Sequence, residues 1–112
     1  MKSHSAKRKG KRLQATVRTA ILELFPELSG EDVRVAVRSE PGTDIKLSPL
    51  GRRLFPYSVE CKNVERLNIW SALAQAQTNT GEGTTALLVF GRNRTEPHVA
   101  LPLSEFIKLI RK

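Results

Sequence analysis

Cysteine is almost absent from this chain, since Cys61 is the single one among 112 residues. A lone cysteine excludes an internal disulfide and a cysteine-rich zinc site. Because structural disulfides are typical of oxidising compartments, this composition favours a reducing environment. We therefore expect an intracellular, cytoplasmic protein.

Long apolar runs are also missing. No stretch approaches the roughly 20 apolar residues that a bilayer span requires, and the basic N-terminus lacks the apolar segment of a secretory signal peptide. The hydrophobic fraction of 39% and the charged fraction of 27% are those of an ordinary globular protein. The sequence therefore predicts one globular domain with no membrane partner.

Aromatic residues make up only 5% of the chain. Phe55, Tyr57 and Trp70 could stack on unpaired bases. With so few aromatic side chains available to the fold, packing in the core or in a dimer interface is the favoured role for them.

Acidic residues are absent from the first twenty positions, which carry seven basic ones. Because the whole chain has a formal charge of +8, residues 21–112 contribute only +1 (8 minus 7). A basic arm ahead of a near-neutral body is typical of a protein that binds a polyanion. We expect a disordered arm over residues 1–9 and a DNA partner; a solubilising tail is the alternative. The candidate DNA contacts in this region are Lys7, Arg8, Lys9, Lys11, Arg12 and Arg18.

Hydrophobic periodicity predicts the order helix, three strands, helix, two strands, helix. The first helix runs from residue 10 to Ser29-Gly30, the strands cover residues 32–39, 43–48, 55–62, 84–90 and 98–103, and the other helices cover residues 66–79 and 104–112. This order predicts an α/β domain over residues 10–112, with one mixed central sheet flanked by helices. The second and third strands should form an antiparallel hairpin, because their connection is too short for a crossover.

Two carboxylates and one lysine meet in this hairpin if its register is symmetric. Glu60 and Lys62 share one face of the third strand, while the Cys61 side chain takes the opposite, buried face. Pairing Asp44 with Glu60 puts the centre of the hairpin at Arg52, inside the predicted connection. Cross-strand neighbours have Cβ atoms about 4.5–5.5 Å apart, so two carboxylates there repel each other unless a cation lies between them.

A divalent metal ion suits this arrangement. Mg²⁺ prefers oxygen ligands, and Asp44, Glu60 and the backbone carbonyl of Cys61 can supply three of them. The ion would activate water for attack on a phosphodiester and neutralise charge on the phosphate. Lys62 would orient that water or stabilise the transition state.

Two other interpretations of these residues are open. Glu60 and Lys62 can be a solvated pair on a strand with no chemistry. The motif Asp44-Ile45-Lys46 has the same acid-x-lysine form, but it is disfavoured because the acidic residues upstream, Glu31 and Asp32, precede their strand.

The two motifs resemble those of the PD-(D/E)XK nuclease superfamily. Gly42-Thr43-Asp44-Ile45 resembles its first acidic motif, with Gly-Thr where Pro often stands, and Ser58-Val59-Glu60-Cys61-Lys62 resembles the second. The predicted order of elements is similar to the αβββαβ core of the family over about residues 10–107. The resemblance implies a restriction-endonuclease-like fold and a metal-dependent nuclease.

Within that superfamily the chain is most similar to archaeal-type Holliday junction resolvases and their phage relatives. The similarity lies in Lys9-Gly10 before the first helix, Ser39 after the first strand and Gln75-Ala76 in the second helix. It implies that Ser39 and Gln75 contact DNA. The resolvases usually carry a Glu four residues after that glycine, where this chain has Gln14, which offers a carbonyl oxygen but no charge. Glu40 is the alternative acid for the site.

The sequence and the resemblance together predict a Mg²⁺-dependent DNA endonuclease, with Mn²⁺ as a substitute, that acts on branched or duplex DNA. Arg52 and Arg53 at the hairpin tip are candidate phosphate contacts, or a solvated turn. A homodimer is expected, because a chain of 112 residues has little surface for a branched substrate. A site-specific or nicking endonuclease of a mobile element and a non-catalytic nucleic-acid-binding protein are the alternatives.

Overall fold

Helices and strands alternate along the chain in a computed structural model, which describes the backbone of residues 2–111 and the side chains of residues 8–111. The elements are α1 (Lys2–Leu24), β1 (Val33–Val35), β2 (Ile45–Leu47), α2 (Pro49–Leu54), β3 (Tyr57–Asn63), α3 (Ile69–Thr78), β4 (Thr85–Gly91), β5 (His98–Ala100) and α4 (Leu103–Ile110). The radius of gyration is 13.8 Å, close to the value of about 13 Å for a compact 100-residue domain. The predicted single α/β domain is confirmed. None of the helices within residues 2–111 has the length and apolarity that a membrane crossing requires.

The larger sheet has the strand order β3-β4-β5 and is mixed. β3 runs parallel to β4, with Glu60 opposite Leu88, and β5 runs antiparallel to β4. Alternation along β3 and β4 sends Val59, Cys61 and Val89 to the α1 face of the sheet, where they join the main hydrophobic core. Leu88 points to the other face, which α3 covers, and it is fully buried there. A strand buried on both faces explains the nearly continuous apolar run of β4.

A second sheet contains only β1 and β2. These strands pair antiparallel, with Val33 opposite Leu47 and Val35 opposite Ile45. Val33 and Ile45 are buried and belong to the same core as α1. The prediction of one central sheet is therefore wrong: the strands divide into two sheets that share one hydrophobic core.

The predicted hairpin of the second and third strands is also wrong. Its connection folds into the short helix α2, because Ser48 is an effective N-cap: its Oγ accepts a hydrogen bond of 3.0 Å from the Gly51 N–H. Pro49 follows at the first helical position, where its fixed φ suits a helix and its missing N–H costs nothing. After α2 the chain enters β3, which pairs with β4 and not with β2.

Residues 2–9, predicted as a disordered arm, form the first turns of α1. Lysine, arginine and alanine in this segment are good helix formers, and no proline or glycine interrupts it before Gly10. The basic residues 2–18 therefore all belong to one continuous helix, α1. Met1 and the side chain of Lys7 lie outside the described part of the chain.

Arg18 connects α1 to the loop before β1 and to β1 itself. Its Nε donates to the Val33 carbonyl at 2.7 Å, and its Nη2 donates to the Gly30 carbonyl at 3.1 Å. The predicted DNA contact at Arg18 thus has two of its nitrogens directed into the fold. Because Val33 is buried in the core, these bonds position the first strand against the helix.

Replacing Arg18 by methionine should destabilise the protein. Arg18→Met keeps most of the apolar stem but removes both donors, and a hydrogen bond to a charged group contributes about 1.5–3 kcal/mol. We expect a loss of about 2 kcal/mol in the free energy of unfolding, measured by urea denaturation. Arg12→Met, at an exposed position of the same helix, is the matched control and should change it by less than about 0.5 kcal/mol. Equal stability of the two variants would contradict this role of Arg18.

Candidate functional site

Asp44 is fixed against the edge of β3 by two hydrogen bonds. Its backbone N–H donates to the Val59 carbonyl at 3.0 Å, and its Oδ2 accepts a bond of 2.7 Å from the Cys61 N–H. These contacts lie on either side of Glu60 in the sequence. Asp44 is therefore placed beside Glu60, as the sequence predicted, although by two local bonds and not by a paired hairpin.

Glu60 is almost fully enclosed, with 4% of its surface exposed. Its Oε1 accepts a hydrogen bond of 3.3 Å from the Asn79 side chain at the C-terminal end of α3. Burial raises the pKa of Glu60 above its ordinary value, and the nearby charge of Asp44 raises it further. The hydrogen bond from Asn79 and the charges of Lys62 and Lys46 oppose this rise in pKa. Burial and the neighbouring carboxylate therefore both disfavour the charged form of Glu60.

Two lysines act on the same carboxylate. Lys62 follows Glu60 by two positions on β3 and so shares its face, and Lys46 lies on β2 two positions after Asp44. Both contribute to holding the pKa of Glu60 down. The sequence presented the two acid-x-lysine motifs as competitors, whereas the fold brings their lysines to one cluster. We refer to Asp44, Glu60, Lys62 and Lys46 as the carboxylate cluster.

Cys61 contributes backbone groups to the site, and its side chain takes no part. The side chain is buried in the core, as the alternation of β3 predicted. Burial raises the pKa of the Cys61 thiol to about 12, with smaller contributions from the charges of Asp44 and Glu60. The thiol is therefore neutral near pH 7 and cannot act as a nucleophile. Because the N–H and C=O of a strand residue point to the same edge, the Cys61 carbonyl faces the edge that Asp44 occupies.

The oxygen atoms of the cluster suit a hard divalent cation. Within the described part of the chain, no group of three or more His, Cys, Asp or Glu side chains is arranged to hold a metal ion. Mg²⁺, however, commonly binds through one or two carboxylates and keeps several waters. Asp44, Glu60 and the Cys61 carbonyl fit that requirement. A bound cation would favour the charged form of Glu60, whose pKa burial raises and the charge of Asp44 raises further.

Glu40, the alternative acid, has a different partner. Its two carboxylate oxygens accept hydrogen bonds of 2.9 and 2.7 Å from Arg34, and one of them also accepts from the Val37 N–H at 2.9 Å. The Arg34 hydrogen bonds, with help from the Val37 N–H, lower the pKa of Glu40 to about 2. Glu40 therefore stabilises the turn after β1. Lys46 also acts on it electrostatically, but among the described side chains no hydrogen bond joins Glu40 to Asp44 or Glu60.

Gln14 is half-buried on α1, next to the core residue Leu13. Among the described side chains, no hydrogen bond connects Gln14 with Asp44 or Glu60. The side chain that does reach Glu60 from a helix is that of Asn79, which the sequence interpretation missed. The available signal was its position three residues after Ala76, which together with Ala72 forms the buried face of α3.

The other predicted DNA contacts are spread over the surface. On α1, three of them are exposed and one is half-buried: Arg8, Lys11 and Arg12 are exposed, and Lys9 is half-buried. The others are exposed on separate elements: Arg53 in the last turn of α2, Gln75 on α3, and Ser39 in a turn with φ +67°. Arg52 is exposed as well, but its Nη1 donates to the Leu47 carbonyl at 2.8 Å. Two of these residues have a contact near the site: Arg52 borders a groove next to the cluster, and the Lys9 carbonyl accepts a hydrogen bond of 3.4 Å from the side chain of Asn63, which follows Lys62 on β3.

No family model, curated protein or solved structure matches this chain. The inference of function therefore depends on the geometry around Asp44 and Glu60. The resemblance to nuclease motifs stays an interpretation of the sequence.

The Arg34–Glu40 pair should make the protein more stable at neutral pH than in acid. Because the folded-state pKa of Glu40 is lowered from 4.5 to about 2, its contribution is present above pH 4.5 and is lost as the pH falls toward 2. We expect Glu40→Gln to lower the melting temperature at pH 7 and to have little effect near pH 2. The measurement is thermal unfolding by circular dichroism across this range.

Glu27→Gln is the control for this prediction, since Glu27 is exposed and has no hydrogen bond among the described side chains. It should leave the pH dependence of wild type unchanged. A Glu40→Gln variant whose deficit in melting temperature is the same at pH 7 and pH 2 would contradict the assigned pKa.

Proposed function

We propose that this protein is a divalent-metal-dependent DNA endonuclease of the PD-(D/E)XK type, with a restriction-endonuclease-like core. The observation that carries the proposal is the pair of hydrogen bonds that holds Asp44 at the edge of β3. They bring together an aspartate, a glutamate and a lysine in the order and spacing of the two nuclease motifs. The succession of α1, a strand pair, β3, α3 and β4 is in keeping with that core.

The residues in and around the cluster have different roles in the proposed hydrolysis: some would bind the metal ion, one orients a carboxylate, and one stabilises the developing negative charge. Asp44, Glu60 and the Cys61 carbonyl would hold Mg²⁺ or Mn²⁺, which supplies charge neutralisation and activation of water when bound. Asn79 orients Glu60 through its 3.3 Å hydrogen bond. Lys62 lies on the same face as Glu60 and donates hydrogen bonds to the attacking water and to the phosphate oxygens, where negative charge develops.

The reaction is a simple displacement at phosphorus. A water oxygen forms a bond to phosphorus while the bond from phosphorus to one sugar oxygen breaks. The water loses a proton to solvent and the departing sugar oxygen takes one up, so the products are a phosphomonoester end and a hydroxyl end. Lys62 keeps its charge throughout and acts by electrostatic stabilisation.

DNA is the substrate that the charge distribution favours. Arg8, Lys11 and Arg12 are exposed along α1, and the N-terminal twenty residues hold seven of the basic side chains. A row of cations on a helix attracts the phosphate backbone without regard to sequence. We propose a structure-specific, resolvase-like activity on branched DNA; a nicking or site-specific endonuclease would use the same residues.

A cleavage assay tests the proposal directly. We expect wild type to cut a four-way junction in Mg²⁺ or Mn²⁺ faster than a flap or a plain duplex of matched sequence. Asp44→Asn, Glu60→Gln and Lys62→Met should each lower the rate about 100-fold or more, since each removes a group that stabilises the transition state. Arg66→Met, which removes an exposed cation that belongs to neither the cluster nor α4, is the control and should cut like wild type.

A second measurement follows the metal independently of cleavage. Mn²⁺ should raise the melting temperature of wild type, because an ion that binds only the folded state stabilises it, and should do so weakly or not at all in Asp44→Asn and Glu60→Gln. Full cleavage activity in all three cluster variants would refute the site. Tight DNA binding by wild type with no cleavage of any substrate would identify a non-catalytic binding protein instead.

We also propose that two copies of the chain associate through α4. Leu103, Phe106, Ile107 and Ile110 share one face of this helix and are between 45% and 75% exposed. No residue of α4 is buried. A contiguous apolar face of this kind marks an interaction surface, and a second copy covers it with an identical face related by two-fold symmetry.

Light scattering coupled to gel filtration tests the association. Wild type should have the mass of two chains, and Phe106→Gln/Ile110→Gln should have the mass of one, because the double variant removes half of the apolar face. Leu24→Gln, at an exposed leucine at the end of α1, is the control and should remain dimeric. A monomeric wild type at concentrations that support activity would exclude this role of α4.

A further inference from the structure

A groove of about 620 Å³ opens beside the carboxylate cluster, between β2, the start of β3 and the loop after α3. Its polar lining comes chiefly from Lys46, Arg52, Arg34, Tyr57, Asn79 and Glu82. The volume is within the roughly 300–1,000 Å³ of pockets that hold a small ligand or part of a larger one. We call this feature the β2 groove.

The β2 groove is continuous with the cluster. Asn79 lines it and donates to Glu60, and Lys46 lines it and acts electrostatically on the same carboxylate. Thr43 and Ile45, the neighbours of Asp44 in the sequence, are also part of the lining. A chain of nucleotides in the groove would therefore lead directly to the carboxylates.

Two cationic side chains of the groove are each held by a hydrogen bond and still have N–H donors free to bind a ligand. Arg52 is held by one hydrogen bond to the Leu47 carbonyl, and Lys46 by one to the Pro41 carbonyl. An arginine has five N–H donors and a lysine three, so each has donors left for a phosphate. Arg34 is paired with Glu40, which leaves Lys46 and Arg52 as the principal anion-binding groups of the lining. Glu82 is the acidic residue of that lining, and Glu60 and Glu40 also lie within electrostatic reach of Lys46.

An aromatic ring accompanies these cations. Tyr57 is half-buried and lines the groove, although its place in the sequence suggested a packing role. Its ring packs against that of Phe55, with the centroids 5.2 Å apart and the planes at 57°. Because Phe55 packs against the hydrophobic core, it holds the tyrosine ring in a fixed position at the groove.

We propose that the β2 groove binds an unpaired segment of DNA next to the phosphate that is cut, with backbone phosphates on Lys46 and Arg52 and one base stacked on Tyr57. Cations that follow a backbone, combined with an aromatic ring that lines the same groove, form the usual platform for single strands. A base inside a duplex cannot reach such a ring without leaving its stack. The proposal builds on the proposed function and specifies its substrate as DNA with an unpaired strand at the cleavage point.

Fluorescence anisotropy in EDTA measures this binding without cleavage. The probes are a labelled single strand, a fork with one unpaired arm and a blunt duplex of the same sequence. Tyr57→Leu should weaken binding of the single strand and the fork about 5-fold or more, as expected for the loss of one stacked base, and leave the duplex unchanged. Tyr57→Phe keeps the ring and should bind all three probes like wild type.

The cations are tested by the salt dependence of the same binding. Lys46→Gln and Arg52→Gln should each lower the slope of log affinity against log salt by about 0.7 for the single strand. Arg66→Gln is the control: it removes an exposed arginine that does not line the groove, and it should leave that slope near wild type. Circular dichroism spectra of all variants should superimpose.

Two results would overturn the proposal. One is a Tyr57→Leu variant that binds the fork like wild type. The other is a variant that loses the same affinity for the blunt duplex as for the fork, which would make the groove a general phosphate-binding surface. The binding assay contains EDTA, so its outcome does not depend on cleavage. If Tyr57→Leu weakens fork binding but wild type cuts no substrate in Mg²⁺ or Mn²⁺, the catalytic proposal is refuted and the groove proposal is supported. If wild type cuts the junction but Tyr57→Leu binds the fork normally, the groove proposal is refuted and the catalytic proposal is supported.

Discussion

The hydrogen bond from the Cys61 N–H to the Asp44 carboxylate, 2.7 Å long, is the contact on which the rest of the site depends. β2 and β3 belong to different sheets, so no ladder of backbone bonds sets their relative position at this point. Asp44 connects the segment before β2 to β3, because its backbone N–H and its carboxylate both bond to the backbone of β3. The distance of Lys46 from Glu60 and the shape of the β2 groove both follow from where Asp44 is held.

This contact places two carboxylates together at a cost in stability. Glu60 is enclosed, and burial and Asp44 together disfavour its charged form. An apolar residue at this position of β3 would pack without that penalty, and buried charges without full compensation are usual at functional sites rather than in structural cores. The fold tolerates the pair because Asn79, Lys62 and Lys46 offset part of the repulsion.

Much of this arrangement is visible in the sequence because it depends on local periodicity. The alternation of β3 correctly placed Cys61 in the core and Glu60 opposite to it. Asp44 does lie beside Glu60, but the hairpin register from which this was predicted does not exist. The hairpin failed because a local signal, Ser48 followed by Pro49, favours a helix over a turn. The pairing of β3 with β4 is a choice between distant segments, which no pattern inside either strand can decide.

The two lysines show why the site itself was only partly predictable. Strand alternation places Lys62 on the face of Glu60, so its position beside this carboxylate was predictable from β3 alone. Lys46 acts electrostatically on the same carboxylate only because β2 is brought to the edge of β3 through Asp44. That second lysine also lines the β2 groove, and it is thus the one side chain shared by the cluster and the groove. A phosphate bound by Lys46 would lie next to the carboxylate pair, so the same residue that moderates the repulsion between Asp44 and Glu60 also sets where a DNA strand can approach them.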